Sequence, residues 1–84
     1  MLRVISANLN GVRSAHRKGF FDWLPEQQAD FVCVQELKAQ APDMTEPMHS
    51  PDGYHGYFHY AQKKGYSGVG IYARQAPDQV IEGL

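Results

Sequence analysis

One cysteine in 84 residues leaves no partner for an internal disulfide, which excludes the stapled architecture of small secreted domains and fits a reducing compartment. Charge of neither sign dominates. Eight Lys and Arg against nine Asp and Glu give a net charge of −1, so no global basic field draws the chain to a polyanion, and any nucleic-acid contact must come from a local cluster. Apolar runs are short: none approaches the roughly 18 residues of a membrane span. The N-terminus lacks a charged segment followed by an apolar core, so no signal peptide is expected. These absences predict a soluble cytoplasmic protein with no membrane partner. The four histidines, His16, His49, His55 and His59, have no spacing that suits zinc.

What is present reads as a folded α/β chain, with 43% hydrophobic and 20% charged residues. Its organising stretch is Phe31-Val32-Cys33-Val34-Gln35-Glu36, read as a buried strand that delivers a carboxylate at its C-terminal end, where open α/β sheets place their chemistry. Before it, Leu2 to Ala7 reads as a first strand, closed by the turn residues Asn8 to Gly11. Ser14 is suited to cap a helix running to about Leu24, with Ala15, Phe20, Phe21, Trp23 and Leu24 on its apolar side and Pro25 ending or kinking it. Strand, helix and strand within so short a span predict a crossover with parallel strands. From Lys38 to Gly56, three prolines mark a connection with one short helical turn near Met44 to His49. Tyr57 to Tyr60 and Val69 to Arg74 then form a hairpin whose tip carries Lys63, Lys64, Gly65, Tyr66 and Ser67, and Val80-Ile81 reads as the start of one more element.

Parallel neighbours would bring Asn8, Asn10 and Glu36 together at their strand ends. A carboxylate with neighbouring amides suits a hard divalent cation such as Mg²⁺, which takes oxygen ligands and keeps waters and substrate phosphates around it. The alternative is that Glu36 caps a loop and the asparagines make turns. Arg13, Lys38 and the Lys63 to Ser67 tip supply guanidinium, ammonium, hydroxyl and main-chain donors, the mixture that binds phosphates. The blander reading of the lysines is a solvated turn, and of Lys38 a simple ion pair. Cys33, between two valines, reads as a packed thiol, and Tyr54, Tyr57, Phe58 and Tyr60 as sheet packing.

Val4 to Arg13, Asp30 to Lys38 and Gly65 to Tyr72 resemble, in order and spacing, the opening of the exodeoxyribonuclease III family of apurinic/apyrimidinic endonucleases, within the endonuclease/exonuclease/phosphatase superfamily. The resemblance implies a four-layered α/β sandwich of two face-to-face sheets covered by helices, with residues 1–84 as the N-terminal portion of that single domain. It implies Asn8 and Glu36 as catalytic residues, Glu36 as a Mg²⁺ ligand with Mn²⁺ as a substitute, Asn10 near the metal, and Lys38 in the network beside it. Arg13, Lys63, Gly65, Tyr66 and Ser67 would contact double-stranded DNA bearing abasic sites or 3′ ends. Leu37 stands where family members usually carry Thr, and Asn10 where some carry Asp.

The residues that activate water in this family lie in a later portion, and no candidate general base occurs here. The expectation is therefore a Mg²⁺-dependent DNA repair phosphodiesterase, monomeric at full length, of which this piece alone is inactive and unstable. A small-phosphoester phosphatase of the same superfamily, and a non-catalytic truncated DNA-binding fragment, are the alternatives.

Overall fold

The computed structural model describes residues 2–61 and 67–74. Four strands, β1 (Val4–Asn8), β2 (Phe31–Gln35), β3 (His55–Tyr60) and β4 (Gly68–Ala73), form one sheet in the order β1-β2-β4-β3. The expected crossover is present, with β1 parallel to β2 and Asn8 paired with Gln35. The expected hairpin is present too, but β4 lies inside the sheet, antiparallel to both β2 and β3. Gln35 pairs with Val69, so β4 begins beside the C-terminal end of β2.

Period-two alternation decides which side chains are buried. Val32, Val34, Phe58 and Tyr72 point to one face and are buried there with Val12, Ala15, Phe21, Leu24 and Met48 from the helical segments. Each such aliphatic or aromatic side chain stabilises the fold by about 1.5–3 kcal/mol relative to exposure, so this layer holds the sheet together. Phe58 seats between two glycines: a Cβ at Gly70 would lie 2.5 Å from the Phe58 ring, and one at Gly56 2.7 Å from it. Tyr72 lies edge-on to both Phe21 and Phe58, and its hydroxyl donates to the Met48 carbonyl at 2.5 Å. Tyr54 is also buried, donating to the Ala29 carbonyl at 2.8 Å.

The opposite face carries Val4, Phe31, Cys33, Val69 and Ile71 in register, and no described element covers it. Val4 is 56% exposed, Val69 49% and Ile71 44%. The stretch Phe31 to Gln35 is therefore half-buried, a correction to the reading of a strand buried throughout: Val32 and Val34 are enclosed while Phe31 faces solvent.

The single helix expected from Ser14 to Leu24 is three pieces. Helix α1 (Val12–Arg17) begins three residues early, with Gly11 at its cap position, and Ser14 lies inside it rather than capping it. Its leading N–H groups are satisfied from β2's extension: Gly11 donates to the Glu36 carbonyl and Val12 to the Leu37 carbonyl, both at 2.8 Å. Gly19, left-handed at φ 89°, then breaks the helix before α2 (Phe20–Trp23), and Pro25 sits in a 3₁₀ turn, Leu24–Gln27. The break leaves Trp23 41% exposed, off the buried side predicted for it. The long connection holds a 3₁₀ turn, Ala41–Asp43, and the short helix α3 (Glu46–His49), close to the helical turn expected there. Among the described residues, no helix is long and apolar enough to cross a membrane. The expected element at Val80-Ile81 lies outside the described residues.

Candidate active site

The C-terminal ends of β1 and β2 stay joined beyond their ladder, since Leu9 N–H donates to the Gln35 carbonyl at 3.0 Å before the Gly11 and Val12 bonds follow. This zipper holds two turns side by side. Three of their residues adopt the left-handed region: Asn10 at φ 48°, Glu36 at φ 54° and Lys38 at φ 53°. Asn visits this region readily, but for Glu36 and Lys38 it costs about 1–2 kcal/mol each, a strain that persists only where surroundings enforce it. The two left-handed residues flank Leu37, which is fully buried in the core, while Glu36 and Lys38 keep their charged groups toward solvent. At the position where a Thr was expected from the resemblance, Leu37 thus fills core volume.

The side chains then converge. The Asn8 amide donates to Glu36 Oε2. Asn8 Oδ1 accepts the Asn10 backbone N–H at 2.9 Å, which fixes the amide's orientation. Lys38 Nζ donates to Asn10 Oδ1 at 2.7 Å and lies 3.7 Å from Glu36 Oε1. The Lys38 and Glu36 side chains are 39% and 36% exposed, so their ion pair contributes under about 1 kcal/mol to stability. Its effect is orientation: Glu36 is held by an amide on one oxygen and an ammonium near the other.

Arg13 also reaches this cluster, its guanidinium donating to the Lys38 carbonyl at 3.2 Å. Ser67 is exposed immediately before β4, while Lys63, Gly65 and Tyr66 lie outside the described residues. Two glutamines next to the site were not singled out from the sequence. Gln35 donates to Ser6 Oγ at 3.1 Å across the uncovered face, and Gln40 donates from its side chain to the Ala61 carbonyl. The Gln40-x-x-Asp43 spacing of a capping box was the available signal for the second.

Glu36 and Asn10 offer oxygen donors alone, which suit a hard cation such as Mg²⁺ better than zinc or copper. Among the described residues, no three His, Cys, Asp or Glu side chains group to hold a metal, so this cluster could supply only part of a coordination shell.

The chain belongs to the endonuclease/exonuclease/phosphatase family, which residues 5–83 match. It is 43% identical over 84 residues to the exodeoxyribonuclease of Bacillus subtilis (strain 168), covering 99% of this chain and 32% of that protein. It is 35% identical to DNA-(apurinic or apyrimidinic site) endonuclease 2 of Xenopus laevis, covering 99% of this chain and 16% of that protein. An AP endonuclease structure from Archaeoglobus fulgidus superposes with a TM-score of 0.82 at 33% identity, covering all of this chain and 32% of that one. The chain thus spans a third or less of the length of these relatives. The α/β class and membership expected from the three motifs are both met, with one sheet and its helical layer present here.

Proposed function

We propose that the full-length protein carrying this segment is a Mg²⁺-dependent DNA repair phosphodiesterase that cleaves 5′ of abasic sites and removes nucleotides from 3′ ends. The observation that carries this reading is the cluster of Asn8, Asn10, Glu36 and Lys38 at the ends of two parallel strands. The names of the relatives support the reaction class.

Glu36 would hold the cation, with Asn10 beside it, and the cation would supply charge neutralisation at the phosphate. In the reaction a water oxygen bonds to phosphorus, the P–O3′ bond breaks, and the departing oxygen takes a proton. This chain's residues contribute electrostatics and position: the Asn8 amide fixes one carboxylate oxygen, Lys38 keeps Glu36 and Asn10 in register, and Arg13 with the β3–β4 connection engages the DNA backbone. The base that activates water comes from outside these 84 residues, so the segment alone is inactive.

Replacing Glu36 with Ala in the full-length protein tests the assignment. Cleavage of an abasic duplex should fall on the order of 10²–10³-fold, the usual size for losing one aligned electrostatic stabiliser. It should also require more Mg²⁺. Unchanged cleavage would sink the assignment, and preferential hydrolysis of a small phosphoester undiminished by competing duplex DNA would point to a phosphatase instead.

A further inference from the structure

Three successive donors meet three successive carbonyls beside the cluster. Gly11 N–H donates to the Glu36 carbonyl and Val12 N–H to the Leu37 carbonyl, both at 2.8 Å, and the Arg13 guanidinium donates to the Lys38 carbonyl at 3.2 Å. From the other side, Leu37 N–H donates at 3.1 Å to the carbonyl of Gly68, the first residue of β4. The turn that carries Glu36 and Lys38 is therefore tied through its backbone to the start of α1 and to β4.

Unaided, the chain would not take this path. Glu36 and Lys38 stand at φ 54° and 53°, in the left-handed region that long side chains avoid. Leu37, between them, is fully buried in the core that also holds Val12 and Ala39, while the two charged side chains are each more than a third exposed. Burying one leucine stabilises by about as much as two left-handed residues cost. Without that side chain, the backbone bonds alone would have to hold a strained turn.

The outer side of the turn carries the candidate chemistry. Lys38 Nζ donates to Asn10 Oδ1 at 2.7 Å and lies 3.7 Å from Glu36 Oε1, so relaxation of either φ would pull these groups out of register. We infer that Leu37 is a positioning residue for the catalytic cluster: its buried side chain holds the turn in the conformation that presents Glu36 and Lys38 beside Asn10. Its activity readout rests on the nuclease reading above. Leu37 acts through the backbone of its two neighbours, from inside the core.

Leu24 supplies a matched control, being the same residue, equally buried, in the 3₁₀ turn after α2. The test uses the full-length protein at a temperature where every variant is folded. Leu37→Ala should lower kcat for an abasic duplex about tenfold or more and raise the Mg²⁺ needed for half-maximal rate about threefold or more, whereas Leu24→Ala should leave both within about twofold. Leu37→Met, close in volume to the original, should recover to within about threefold of the wild type. In the metal-free protein, amide exchange at Gly11, Val12 and residue 37 should quicken about tenfold more in Leu37→Ala than in Leu24→Ala, while Leu9, bonded to Gln35 ahead of the turn, keeps its protection. Should Leu37→Ala fail to fold, Leu37→Val against Leu24→Val should show the same ordering in rate and in exchange.

Equal losses at the two leucines, in rate and in exchange alike, would overturn the inference and leave Leu37 an ordinary core residue. So would wild-type exchange at Gly11 and Val12 in the Leu37 variants, or a Leu37→Met protein as impaired as Leu37→Ala. If the wild-type protein does not cleave an abasic duplex, the nuclease reading fails on that result, and exchange at Gly11, Val12 and residue 37 in the metal-free protein decides the role of Leu37.

Discussion

Asn8 and Glu36, 28 positions apart in the chain, are joined by a hydrogen bond from amide to carboxylate across the ends of two parallel strands. Asn8 is held in turn by the Asn10 N–H on its side-chain oxygen, which turns its NH2 group toward Glu36. Replacing Asn8 with Asp removes the donor and sets a second negative charge beside the first. In the full-length protein, cleavage of an abasic duplex should drop on the order of 10²-fold, with thermal stability little altered at this exposed site. Steady-state kinetics would check it, and wild-type kcat/KM in the variant would contradict it.

Lys38 separates orientation from stability. Its ion pair with Glu36 is more than a third exposed on both sides, so Lys38→Met should change unfolding free energy by less than about 1 kcal/mol. Cleavage should nevertheless fall by roughly 10–100-fold, as when an outer partner of a metal ligand is lost. Denaturant titration and kinetics on the same preparation would show whether the two effects separate.

Much of this arrangement was readable from residue types. Phe31 to Gln35 followed by Glu36, and Leu2 to Ala7 followed by Asn8-Leu9-Asn10-Gly11, announced two strands with polar ends, and a short crossover made them parallel neighbours. The insertion of β4 between β2 and β3 was not readable, because strand order depends on long-range pairing that local composition does not carry. The helix start was misplaced for a similar reason: the donors of Gly11 and Val12 find carbonyls of residues 36 and 37, so no local cap such as Ser14 was needed. Gln40 was passed over because its partner is the backbone carbonyl of Ala61, 21 positions away.

Burial, with the nearby Tyr60 adding to it, pushes the Tyr72 hydroxyl well above its ordinary range. In the unfolded chain this phenol titrates near pH ~10. Its contribution is therefore complete below that pH and declines as pH rises above it, because unfolding releases a proton that the folded state retains. Tyr72→Phe should cost about 1 kcal/mol at neutral pH through the lost bond to the Met48 carbonyl. It should also flatten the alkaline fall in stability. Urea unfolding on either side of pH ~10 would measure both, and an equal alkaline slope in the two proteins would refute the assignment.

Gly70 is required by its neighbour. A Cβ there would meet the Phe58 ring at 2.5 Å, so Gly70→Ala should destabilise by about 1–3 kcal/mol through overpacking. Trimming the ring in a Phe58→Leu background should reduce that penalty, and additive losses in a double-mutant cycle would show that the clash is elsewhere.

The face bearing Val4, Phe31, Val69 and Ile71 should make the isolated 84-residue chain bind an apolar dye such as ANS and self-associate. Val69→Lys combined with Ile71→Lys should lower dye binding in the isolated chain yet destabilise the full-length protein. Dye binding indifferent to these changes would place the exposed apolar surface somewhere else.

The strand order has a kinetic meaning. Among the described strands β3 pairs with β4 alone and β1 with β2 alone, so the sheet divides into a crossover unit and a local hairpin that meet along one antiparallel seam between β2 and β4. Loop-closure entropy for the sheet falls mainly on the crossover and on that docking, while the hairpin can form early. The seam's end is where Gln35 pairs with Val69, one residue from Glu36. The cluster of Asn8, Asn10, Glu36 and Lys38 belongs wholly to the crossover unit, so it assembles as β1 and β2 pair, and docking of the hairpin then closes the sheet beside it.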